Sequence, residues 1–229
     1  MFYIDPVYFW YVLIPVLVLS LGVQLYLRST NNKWSKVKNS SALTGEQVAQ
    51  QLFNRTSLQT IRVDHVSGTL TDHFDPGANV VRLSDSTARV DSVSAMAVTA
   101  HELGHVQQYQ TGSAMIKVRG FLLPALQFSP TISYIAILLG LWFNMTGMLW
   151  LGIIFFAIMV LFSLLTLPVE IDASRRGLRM LDEAGLMVSA EDKQGSNAVL
   201  RAAALTYLAA AITSILQLLY YISVAQRRS

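Results

Sequence analysis

Residues 7–27 (VYFWYVLIPVLVLSLGVQLYL) contain no charged side chain, and the same holds for 121–143, 148–167 and 202–225. A hydrocarbon core takes roughly 20 helical residues to cross, so each run is long enough to span it. A soluble domain of 229 residues has too little interior to bury all four, and a composition of 53% hydrophobic against 14% charged residues points the same way. The expected fold class is therefore an α-helical integral membrane protein with four transmembrane helices. The spans divide the chain into a first transmembrane anchor (1–27), a polar segment (28–120), a transmembrane hairpin (121–167), a second polar segment (168–201) and a fourth transmembrane helix with its tail (202–229). Residues 1–6 (MFYIDP) carry no positive charge and no small-residue cleavage site follows, so the first span is expected to stay as an anchor.

Charge placement sets the expected orientation. Of the 17 basic residues, 10 lie in 28–120 and 5 in 168–201, leaving Arg227 and Arg228 for the other side. Basic loops stay in the cytoplasm, which places both polar segments there and both termini outside, in a multi-pass protein of the plasma membrane. Absence of cysteine agrees with a reducing compartment. The net charge of +3 is accounted for by this topology, and no nucleic-acid partner is expected.

The first polar segment holds TAHELGHVQQ at 99–108. On a helix, residues i and i+4 share a face, so His101 and His105 can turn ring nitrogens toward one ion. Glu102 then stands beside the metal, where a general base must be to take a proton from water. Asp91 is expected to cap a helix starting at Ser92, with Gly112 as its stop. Gly104, inside the motif, lets another element approach closely.

Around this helix the segment reads as a small α+β, zincin-like cytoplasmic lobe. Residues 28–43 (RSTNNKWSKVKNSSAL) are basic and are expected to lie against anionic headgroups, with Trp34 as an interfacial anchor. Thr44 and Gln47 have capping-box spacing for the next helix, with Leu43 and Val48 as a hydrophobic staple. Short strands follow at 60–66, 69–74 and 78–84, the last two turned by Asp75, Pro76 and Gly77. Val80 to Ser84 is the candidate edge strand for pairing with an extended peptide.

A catalytic zinc takes three protein ligands and keeps one position open. The third must come from the same side of the membrane, and there the chain reads LPVEIDASRRGLRML from Leu167. Glu170 and Asp172 are the candidates. They lie about 200° apart on a helix, so only one can reach the metal. Glu170 shares its face with Ala173, Ser174 and Gly177, small residues that admit a neighbouring helix, and is the expected ligand. For the donor opposite the metal, His73, Tyr109 and Arg175 are candidates, although for His73 a turn residue of DHFDP is the favoured reading, since Asp and Pro neighbours mark turns.

The HELGH helix, the preceding TDHFDP and VVRLS segments, the two-span hairpin and the LPVEIDAS stretch together resemble the YugP-like bacterial membrane-bound neutral zinc metallopeptidases. The resemblance covers nearly the whole chain and implies a Zn2+ peptidase with His101, His105 and Glu170 as ligands and Glu102 as catalytic base. More distantly, the stretch from Glu170 to Ser174 is similar to the E-x-x-A-D stretch of the CAAX prenyl proteases, whose aspartate supports a ligating histidine. Ser174 stands at that position here, so the candidates for that support are Ser174 itself and Asp172. The expected function is a membrane-embedded metallo-endopeptidase acting on protein or peptide substrates, chiefly membrane-associated ones. The alternative is a membrane scaffold or adaptor with a structural metal site, whose alanine-rich last span packs against a membrane-protein partner or a second copy. Structural zinc sites are usually closed by four ligands rich in cysteine, which this chain lacks.

Overall fold

The computed structural model describes residues 5–228; residues 1–4 of the expected anchor and the terminal Ser229 lie outside the described residues. The chain is mostly helical. Asp5 accepts from Val7 N and Pro6 stands at the first helical position, so the helical run Pro6–Trp34 starts on a pre-set φ. That run comprises α1 (Pro6–Tyr8), a π-helical stretch Phe9–Leu13 and α2 (Ile14–Trp34). After it come α3 (Gly45–Arg55), β1 (Arg62–Val66), β2 (His73–Asp75), β3 (Val80–Ser84), α4 (Asp85–Ala88), α5 (Val93–Gln110), α6 (Ala114–Trp142), α7 (Thr146–Glu183) and α8 (Ala190–Gln226). Among the described residues, four helices are long and apolar enough to cross a membrane: Pro6–Trp34, α6, α7 and α8. α7 runs through Pro168 unbroken, so its apolar span and the VEIDAS stretch belong to one helix.

Contacts divide the chain into two compact units. One holds the chain up to Gln24, Lys117–Pro168 and the chain from Thr206 onward. Its core gathers Ile137, Leu149, Ile153 and Ala225, with Leu218, Tyr221 and Ile222 packed on it. α6 and α7 approach closely here, because a Cβ on Gly140 would meet Leu149 and one on Gly152 would meet Ile137. Asn144 takes the left-handed backbone the tight turn between them needs, a conformation asparagine tolerates better than most residues. Large apolar side chains such as Trp10 and Tyr134 point outward, 64% and 67% exposed, as a lipid-facing surface requires.

The second unit holds Leu25–Ile116 and Val169–Leu205, and α5 runs through its middle. One face of α5 (Met96, Ala100, Leu103, Val106) packs with Val48 and Leu52 of α3, Val81 and Leu83 of β3, and Met180 and Leu181 of α7. Val93 and Ala97 pack instead with Trp34, Val199 and Leu200. The Thr44–Gln47 capping box forms as the spacing predicts, and Leu43 packs against the core that contains Val48.

Expectations for Trp34 and β3 are corrected in this unit. Trp34 is not an interfacial anchor; it is 5% exposed, and Gly195 leaves room for α8 against its ring. Burial against protein removes the indole from any headgroup role. Nor is β3 an edge strand. The sheet order is β1-β3-β2, with β3 parallel to β1 and antiparallel to β2, so its backbone groups are already paired on both sides. The turn from β2 to β3 forms where Asp75, Pro76 and Gly77 predict it, with Asp75 Oδ1 accepting from Gly77 N and Ala78 N.

Candidate metal centre

α5 begins one residue later than its sequence cap implies. Ser92 Oγ accepts from Ala95 N, whereas Asp91 turns outward to Lys38 Nζ at 2.8 Å. Either side chain can cap; the pairing of Val93 N with Val37 O, and of Asn39 N with Asp91 O, ties down the backbone before the helix and selects Ser92. His101 and His105 then fall one turn apart, with ring centroids 4.8 Å from each other and planes at 83°.

Two glycines bring α7 to them. A Cβ on Gly104 would collide with the Ala173 carbonyl of α7, and one on Gly177 would collide with the Ala100 carbonyl of α5. The two helices therefore touch backbone to backbone, a separation only glycine permits at both points. Glu170, one turn before Ala173 and 3% exposed, is delivered between the two imidazoles. Its Oε2 lies 3.3 Å from His101 Nε2 and 3.4 Å from His105 Nε2.

Those separations test the fit of a metal. A tetrahedral ion with ligand bonds of about 2.0–2.1 Å holds its donors roughly 3.3–3.4 Å apart. Two imidazoles and a carboxylate are also a zinc donor set, and one donor atom from each residue lies within 4.8 Å of the others. The residues present fit zinc.

Behind the donors, each imidazole is held by its other nitrogen. His101 Nδ1 is 3.0 Å from Ser174 Oγ and His105 Nδ1 is 3.0 Å from Gln108 Oε1. Gln108 in turn donates from Nε2 to Val169 O and Asp172 Oδ2, both at 2.8 Å, and Arg176 Nε donates to that same aspartate oxygen at 2.7 Å. Sequence reasoning missed Gln108. The available signal was a polar residue one turn past His105 on a helix with too little polar surface to be exposed all round.

Glu102 is 7% exposed beside this group. Burial pushes its carboxyl up, against the charges of His101 and His105, and the nearby Asp72 adds to the rise. Asp72 itself accepts from Ser84 N and Ser84 Oγ. Among the described residues, the group that can hold a metal contains His101, His105 and Glu170. His73 is elsewhere engaged: exposed at the start of β2, its Nδ1 lies 2.8 Å from Thr71 O and its Nε2 3.3 Å from Arg82 Nη1.

A family model described as "Putative neutral zinc metallopeptidase" matches residues 9–226. The chain is 38% identical over 216 residues to the "Putative membrane protease YugP" of Bacillus subtilis (strain 168), covering 94% of this chain and 96% of that protein. No solved structure matches it. With four apolar helices and this relative, the chain is a multi-pass membrane protein. It belongs to the neutral zinc metallopeptidase family.

Proposed function

We propose that this chain is a zinc-dependent endopeptidase working at the cytoplasmic face of the membrane, with His101, His105 and Glu170 as ligands and Glu102 as general base. The observation that carries the reading is the convergence of both Nε2 atoms on Glu170 Oε2 at 3.3 and 3.4 Å, the donor spacing of a tetrahedral site. Bound there, zinc supplies a Lewis acid that acidifies water and polarises a peptide carbonyl.

The protein's own groups do the rest. Glu102 follows His101 on α5 and takes the proton of the attacking water on a carboxylate oxygen. It later returns that proton to the leaving amine nitrogen. A carboxyl pushed up by burial is the stronger base, which suits it to water better than an ordinary surface glutamate. Ser174 and Gln108 hold the imidazoles in place by their Nδ1 atoms.

The basic residues of 28–120 and 168–201 support a cytoplasmic placement for both polar segments. In sequence, Glu170 follows Leu167, the last residue of the apolar run, by only three positions. Catalysis accordingly takes place near the headgroups, and substrates are protein segments that reach that level unfolded, foremost those of membrane-associated proteins.

Glu102→Gln tests the reading. It is expected to keep its zinc and to lose turnover of an unfolded test protein by about 10²–10⁴-fold, the usual share of a general base. Turnover at the wild-type rate would remove Glu102 from catalysis, and loss of zinc would move it into the ligand set.

A further inference from the structure

Gln108 is fully buried, yet it carries no charge and touches no reacting atom. Its surroundings are nevertheless unusually restrictive. A glutamine amide is nearly symmetric in shape, and which end is oxygen is decided by what each end meets. One end meets Val169 O and Asp172 Oδ2, both at 2.8 Å. A main-chain carbonyl accepts and cannot donate. The aspartate oxygen is committed as an acceptor by Arg176, whose guanidinium only donates. That end must be the NH2 group. The opposite end is then the carbonyl oxygen, and it faces His105 Nδ1 at 3.0 Å.

An oxygen facing Nδ1 requires a proton on Nδ1. A neutral imidazole with its proton there has its lone pair on Nε2, the atom directed at Glu170. Ser174 does not impose the same choice on His101, because a hydroxyl can donate or accept.

We propose that Gln108 is a positioning residue that fixes the Nδ1–H tautomer of His105, its polarity dictated from α7 by Val169, Asp172 and Arg176, so that Nε2 is the metal-binding nitrogen. Arg176 is itself held by α5, its Nη1 donating to Gln107 Oε1 and Thr111 Oγ1. Gln108 Nε2 and Arg176 Nε thus both donate to Asp172 Oδ2, which leaves that oxygen no role but acceptor. The proposal rests on the reading of His101, His105 and Glu170 as zinc ligands.

The test uses the full-length protein in detergent, with zinc affinity measured by chelator competition. Gln108→Met keeps the length of the side chain and removes both polar ends; it is expected to weaken zinc binding about 10–100-fold, the usual effect of losing such a support. Gln108→Glu keeps an acceptor toward His105 but sets a carboxylate against Asp172, and should also weaken it. Adding Asp172→Asn to Gln108→Glu reverses donor and acceptor between the two residues at unchanged total charge and is expected to recover part of the loss, the opposition of the carboxylate to Val169 O remaining. Histidine nitrogen NMR of the zinc-loaded wild type should show the proton of His105 on Nδ1.

Wild-type affinity in Gln108→Met overturns the proposal, as does metal on Nδ1 of His105. If the methionine variant fails to fold, equal losses in Gln108→Glu and in the double variant overturn it. A wild-type protein that holds no zinc, or holds it equally after His101→Ala, defeats the ligand reading itself and the proposal with it.

Discussion

At the residue scale, three side chains from two distant stretches of sequence come together as a group that could hold a metal ion, and each is replaceable by alanine without filling the space of an ion. About one zinc per chain is expected in the purified protein, with His101→Ala, His105→Ala and Glu170→Ala each losing most of the affinity. Metal analysis after dialysis decides it; full occupancy in Glu170→Ala would name another donor, and Asp172 would be the next to substitute. The two histidines and Glu102 are legible in the sequence because one helix turn relates them. Glu170 is legible too, through the small residues on its face. Gln108 is not, since an uncharged amide acquires a role only when α7 buries it and presents two acceptors to one end.

At the scale of elements, the ligand spacing is set by how near α5 and α7 come. Gly104 and Gly177 meet main-chain carbonyls, which cannot rotate aside as a flexible side chain would. Gly104→Ala and Gly177→Ala are therefore each expected to cost about 1–3 kcal/mol, as overpacking does, and to weaken zinc binding together with thermal stability. Gly120→Ala is the control, because its Cβ would meet nothing within 4 Å. Unchanged melting and zinc affinity in Gly104→Ala would show that the close approach does not govern the site. Local signals served well for elements: the capping box at Thr44 and the turn at Asp75 form where short-range spacing puts them, and the helix carrying HELGH starts within one residue of its expected place. Sheet order was beyond such signals. Whether Val80–Ser84 lies at an edge depends on β1 coming alongside it across the intervening chain, which no local pattern encodes.

For the whole molecule, the prediction is one of topology. A reporter fused after Ser40 should be cytoplasmic, and one inserted at Thr146 should be external, since basic segments are retained inside. Labelling in the reverse sense would carry the metal site to the outer face. The two polar stretches that share this orientation in the sequence also share one compact unit in the structure, with Asp192 accepting from Ser40 N and Arg55 donating to Ala184 O across it.

Hydropathy and helical spacing alone determined that the chain has four helices long and apolar enough to cross a membrane and that His101, Glu102 and His105 stand together, because both properties depend on residues within a few turns of one another. Tertiary structure alone decided that Trp34 is core, that β3 is interior and that Gln108 must point its oxygen at His105. In each of those cases the deciding partner is remote in sequence: Gly195 beneath the Trp34 ring, β1 alongside β3, and Val169 with Asp172 at the far end of the glutamine amide. Burial and hydrogen-bond direction are properties of the assembled neighbours, and the residue itself carries no mark of them.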